Sequence, residues 1–175
     1  MTTATKAENR LEERFRLWDN DGNGVIERAD FEVEAEGILS SLGAAGTPKG
    51  DALRDSYLAM FDLLASAAGT DRMSQDKFVE VAEQEIVSKG DAGFARVVQP
   101  TIQAIVNVLD TDGDGEVSPS EMQKWFAAIG LDGAQADQAF SQMDADNSGN
   151  LSTAELVAAV RDYHLGKNDI PLLGA

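Results

Sequence analysis

DTDGDGEVSPSE, residues 110–121, is the stretch on which the reading of this chain turns. Acids stand at its positions 1, 3 and 5, glycine at 6, an apolar residue at 8 and a glutamate at 12. Nearly the same string returns at 19–30 as DNDGNGVIERAD and at 144–155 as DADNSGNLSTAE. Apolar residues lie one and four places before each copy: Trp18 with Phe15, Leu109 with Val106, and Met143 with Phe140. That spacing marks the inner face of an incoming helix. Phe31, then Met122 with Trp125 and Phe126, then Leu156 with Ala159 and Val160 mark an outgoing one. The unit is helix, acidic loop, helix, and it is an internal repeat.

Between 30 and 110 the chain is too long for a loop, and its periodicity predicts helices over about 51–65 and 75–88. A fourth unit fits there. Setting Phe78 level with Phe31, Met122 and Leu156 makes its loop 66–77, with Met73 where the other loops carry Ile26, Val117 and Leu151. Gly- and Pro-bearing segments at 42–50 and 88–93 read as short surface links, and the Pro-containing stretch 165–175 as a non-helical tail.

Twelve-residue strings of this kind supply hard oxygen donors from positions 1, 3, 5, 7, 9 and 12, which suits Ca²⁺ with its six to eight oxygens; this is the EF-hand arrangement. In the third loop the ligand set is Asp110, Asp112, Asp114, the Glu116 carbonyl and bidentate Glu121, with Ser118 acting through water. In the fourth it is Asp144, Asp146, Ser148, the Asn150 carbonyl and Glu155, with Ser152 at the ninth position. Ser118 and Ser152 also stand three residues before Glu121 and Glu155, a capping-box start for each outgoing helix. The first loop offers Asp19, Asp21, Asn23, the Val25 carbonyl and Asp30. Asp30 is one methylene shorter than the usual glutamate, so the shell tightens and Mg²⁺ becomes a candidate occupant; Glu27 at the ninth position could supply a further oxygen. The second loop has Ser66, Ala68, Thr70 and Lys77 at positions 1, 3, 5 and 12, and is expected to bind no metal. Three Ca²⁺ ions are therefore expected.

Charge agrees with that reading. Of 31 acids, twelve fall in the three loops, leaving 19 against 14 bases, and the net charge is −17. Such a field opposes nucleic acid and anionic membranes as partners. Zero cysteines and a single histidine, His164, rule out thiolate and multi-histidine metal sites. No nucleophile–base pair is recognisable and the carboxylates are committed as ligands, so an enzyme is not expected. Met1 to Arg14 reads as a polar helix rather than a secretion signal, no 18-residue apolar run occurs, and Thr2 replaces the glycine that myristoylation needs. A monomer in the cytoplasm is expected, with no membrane partner and no identified protein target.

At RFRLWDNDGNGVIERADFE, residues 14–32, and at VRDYHLGKNDIPLL, residues 160–173, the chain resembles the calerythrin-like branch of the sarcoplasmic calcium-binding protein family. The resemblance extends over nearly the whole chain. It implies an all-α protein in which four EF-hands form two pairs in one compact domain, with the second hand silent and the other three occupied. On the residues, the first pair spans about 5–89 and the second about 94–163, with 164–175 as a tail within a single domain, 1–175. The family implies a calcium buffer or transporter; the alternative is a Ca²⁺-triggered sensor that regulates a protein partner. Met60, Met73, Met122 and Met143 all have core roles by spacing, which favours the buffer, since sensors expose Met-rich grooves. Ile170, Leu172 and Leu173 are expected to dock against the hands and fill the remaining groove.

Overall fold

The structure, a computed structural model, describes residues 3–128 and 131–170. Among them it is all-α, with only short strand pairs between loops. The first hand runs from α1 (Thr3–Trp18) through its loop to α2 (Arg28–Leu42), and the second from α3 (Pro48–Ala68) to α4 (Gln75–Ala82). After a π-helical turn over Glu83–Val87 come α5 (Gly90–Val97) and α6 (Gln99–Leu109), which enters the third loop. α7 (Pro119–Ala128) leaves that loop, and α8 (Gly133–Met143) and α9 (Thr153–His164) flank the fourth.

The helix starts follow local chemistry. Thr47 caps α3 by accepting from the Gly50 N–H at 3.0 Å, with Pro48 in the first turn, where its missing N–H costs nothing. Both expected capping boxes form. Ser118 Oγ accepts from the Glu121 N–H (3.2 Å) while Glu121 Oε1 accepts from the Ser118 N–H (2.9 Å). Ser152 and Glu155 repeat this at 3.1 and 3.0 Å.

The loops pair as the positions of Met73, Ile26, Val117 and Leu151 require. β1 (Val25–Ile26) lies antiparallel to β2 (Met73–Ser74), with Ile26 opposite Met73. In the other pair, Val117 and Leu151 exchange two backbone hydrogen bonds of 2.8 Å, a single antiparallel bridge. All four of these side chains are fully buried. Behind the first bridge sits an aromatic cluster: Trp18 lies 4.6 Å from Phe31 and 5.7 Å from Phe78, and Phe31 lies 5.2 Å from Phe61, between ring centres. α3 packs along α6, α2 against α7, and α1 against α9, so both pairs share one hydrophobic core.

Two expectations about the segments between hands need correction. Helix α3 extends through Ala68, so the first three positions of the second loop are helical, and Gly69 ends the helix in the left-handed conformation. The link expected at 88–93 is only a two-residue turn, because α5 starts at Gly90 and packs on the π-helical turn. Gly93 makes that approach feasible: a Cβ there would stand 2.3 Å from the Ile86 carbonyl oxygen. In the tail, Arg10 donates to the Tyr163 and Asn168 carbonyls and pairs with Asp169 at 2.6 Å. Ile170 is buried, as expected; Leu172 and Leu173 lie outside the described residues. No helix among the described residues is long and apolar enough to cross a membrane.

Candidate metal centres

Each acidic loop must reverse the chain and turn its carboxylates inward within twelve residues. The sharp turn falls on Gly24, Gly115 and Gly149, with φ of 86°, 81° and 88°, where a side chain would be strained. Two places earlier the backbone is left-handed again, at Gly22, Gly113 and Asn147. Asn147 is the one non-glycine residue with positive φ among those described, and asparagine is a residue type that tolerates it. Matching the fourth loop to Gly22 and Gly113 would have revealed this conformation in the sequence.

The first acid of each loop then collects N–H donors from that turn. Asp19 accepts from the backbone N–H groups of Asn23 (3.1 Å) and Gly24 (2.9 Å). Asp110 accepts from Gly113 (2.9 Å), Asp114 (3.2 Å) and Gly115 (2.8 Å). Asp144 accepts from Ser148 (3.1 Å) and Gly149 (2.9 Å). These bonds fix the first acid of each loop at its focus.

Three groups of carboxylates result, each with oxygens within 4.8 Å of one another: Asp19, Asp21 and Asp30; Asp110, Asp112 and Asp114; Asp144, Asp146 and Glu155. Asn23 and Ser148 join by bonding to these acids, since the Asn23 amide donates to Asp21 Oδ2 at 3.1 Å and the Ser148 N–H to Asp146 Oδ1 at 3.0 Å. Val25, Glu116 and Asn150 occupy the seventh position, the place of the carbonyl ligand; the Asn150 carbonyl accepts from Ser148 Oγ at 2.9 Å.

Glu121 stands apart from its group. Its Oε2 accepts from the Thr111 N–H at 2.6 Å and the Thr111 hydroxyl at 2.8 Å, holding the carboxylate over the loop's second residue. The fourth loop has Ala145 there and no hydroxyl, and Glu155 Oε2 has only a 3.5 Å bond from the Asp146 N–H. Glu27 also lies outside the first group: Arg72 of the second loop pairs with Oε1 at 2.8 Å and the Asn23 amide reaches Oε2 at 3.3 Å. The second loop thereby supplies a cation to its neighbour. In the second loop Lys77 pairs with Glu80 at 3.0 Å, and no carboxylate group forms among its described residues.

Crowding is visible in the acidity of the groups. Burial pushes the Asp30 carboxyl up, and the charges of Asp21 and Asp19 push it further, against hydrogen bonds that pull it down. Asp110 is held below the usual range, chiefly by the Gly115 N–H, while its close contact raises Asp112. Burial raises Glu121 but is outweighed by the N–H and O–H donors of Ser118 and Thr111, so its net shift is downward. Asp146 is lowered, first by Ser148. Like charges kept this close favour a bound cation. The donors are all hard oxygens, which fits Ca²⁺ or Mg²⁺ and not a thiophilic metal. Bound there, the ion would neutralise each cluster and cross-link the two helices of its hand.

Helix pairs, paired loops and oxygen-only sites together define an EF-hand calcium-binding protein. The EF hand family model matches residues 102–127 and 136–160. The chain is 40% identical to calerythrin of Saccharopolyspora erythraea, over 99% of this chain and 100% of that one. A solved Streptomyces coelicolor calcium-binding protein, described as a basis for prokaryotic calcium-mediated regulation, has 32% identity and a TM-score of 0.74, covering 93% of this chain and 99% of its own. Calcium-loaded apo-aequorin of Aequorea victoria, at 18% identity and a TM-score of 0.76 over 94% of this chain and 93% of its own, shares the fold. The chain belongs to the calerythrin-like family of EF-hand calcium-binding proteins, whose members are not enzymes.

Proposed function

We propose that this protein is a cytoplasmic, monomeric Ca²⁺ buffer or carrier holding three ions. Asp19, Asp21, Asn23, the Val25 carbonyl and Asp30 hold the first, which also accepts Mg²⁺ because Asp30 is short. Asp110, Asp112, Asp114, the Glu116 carbonyl and Glu121 hold the second. Asp144, Asp146, Ser148, the Asn150 carbonyl and Glu155 hold the third. The observation that carries the reading is the convergence of three carboxylate groups, each within 4.8 Å, on loops whose N–H groups fix the first acid.

Support for a buffer over a sensor comes from burial. Met60, Met73, Met122 and Met143 are each no more than 6% exposed, and among the described residues the exposed large apolar side chains, Leu17, Val33 and Leu63, belong to three different helices. Among the described residues no Met-rich groove for a target helix is exposed. The regulatory role attributed to the Streptomyces coelicolor protein keeps the sensor as the second reading.

Fluorescence of a dye specific for apolar surface separates the two. A buffer should show no rise when Ca²⁺ is added to the full chain. A chain ending at Gly166 should show a rise with Ca²⁺, because the buried Ile170 is removed and the apolar surface it covers is exposed. A Ca²⁺-dependent rise in the intact protein would mean that a target surface opens, and would replace the buffer by the sensor.

A further inference from the structure

Between the two pairs of hands lies a cavity of about 140 Å³, walled by side chains such as Leu64, Phe78, Phe94, Ile105 and Val160. None of residues 165–170 lines it, so Ile170 is buried elsewhere. A cavity of this size and apolar character accommodates a body of about six carbons, since an engineered apolar cavity of similar volume takes up benzene.

Its wall is not wholly apolar. Arg14 is half-buried and borders the cavity, and its guanidinium makes no hydrogen bond or ion pair among the described residues. It rests only over the Trp18 ring, 5.3 Å from the ring centre. Glu34 acts on it electrostatically without forming an ion pair. The Trp18 indole N–H, on the same wall, is buried without a closed hydrogen bond. His164 completes this end: its Nδ1 meets the Val160 carbonyl at 2.9 Å, and burial keeps the ring neutral, pushed down to about 3. A guanidinium that borders an apolar cavity with its five donors unmet by any described acceptor is shaped to receive a carboxylate in a two-pronged contact.

We propose that the cavity is a binding site for a small monocarboxylate with an apolar body of about six carbons, its carboxylate on Arg14 and its body among the aliphatic and aromatic walls. The chain's net charge of −17 gives an anion no help at the surface, so recognition depends on Arg14.

The probe is benzoate, with benzamide as its neutral counterpart, titrated into the full chain in Ca²⁺ while the Trp18 indole N–H is followed by NMR. Benzoate should saturate with a Kd on the order of 1 mM or tighter, and benzamide should bind about tenfold more weakly. Arg14→Met should abolish that difference while leaving benzamide binding within about twofold. Arg14→Lys retains the charge without the planar fork and should recover only part of the preference. Circular dichroism and Ca²⁺ titration of each variant establish that it is folded and metal-loaded, which separates failure of this site from failure of the metal sites. Equal affinity for benzoate and benzamide, an undiminished preference in Arg14→Met, or no saturable shift from benzoate at 10-fold above that Kd would overturn the proposal.

Discussion

Replacing Glu155 by glutamine should weaken Ca²⁺ binding at the fourth loop by about 100-fold or more, because it removes a full charge and a chelating oxygen at the same position. Glu121→Gln should do the same at the third loop. Each change should also weaken the partner loop, by roughly fivefold or more, the lower end of usual coupling between linked sites. The coupling has a physical route. Val117 and Leu151 exchange two 2.8 Å hydrogen bonds and are fully buried, so neither loop can relax without shifting the other. Titration calorimetry of both variants checks this, and an unchanged affinity at the unmutated loop would show that the bridge transmits nothing.

Removing Ca²⁺ should bring the whole protein to the margin of stability. An ion present at 1,000 times its dissociation constant stabilises by about 4 kcal/mol per site, hence about 12 kcal/mol across three. That equals the net stability of a typical domain, about 5–15 kcal/mol. Repulsion among Asp19, Asp21 and Asp30, and among the equivalent groups of the other loops, acts in the same direction once the cation is gone. Thermal unfolding in excess chelator should therefore fall by tens of degrees from its value in millimolar Ca²⁺. A shift of less than about 5 °C would mean that the loops hold little of the folding free energy.

The parts of this fold that were legible in the sequence are those encoded locally. Twelve-residue spacing placed the acids, the eighth-position apolar residues foretold the Val117–Leu151 bridge and set Met73 level with Ile26, and Ser118 and Ser152 announced their capping boxes. Features that depend on approach between distant segments were not legible. The π-helical turn at Glu83–Val87 and the contact of Gly93 with Ile86 arise from how α5 is pressed onto α4's end, and no periodicity marks them. Likewise Arg72 reaches Glu27 only because the strand pair sets the second loop beside the first. The Thr111 hold on Glu121 is a side-chain competition that spacing alone leaves open. Arg14 reads in sequence as one more charge on a polar first helix, and only the packing of α1 against α9 turns it inward.

Counting bound ions tests the account most directly. Calorimetric titration of chelator-treated protein with Ca²⁺, alone and in millimolar Mg²⁺, should saturate at three ions per chain. Mg²⁺ should weaken the apparent affinity of the first site, where Asp30 replaces the longer acid, more than that of the other two. Saturation at two ions would show that the Asp19–Asp30 loop does not bind, and saturation at four would show that the second loop binds despite Lys77; either result would contradict the assignment of the three carboxylate groups.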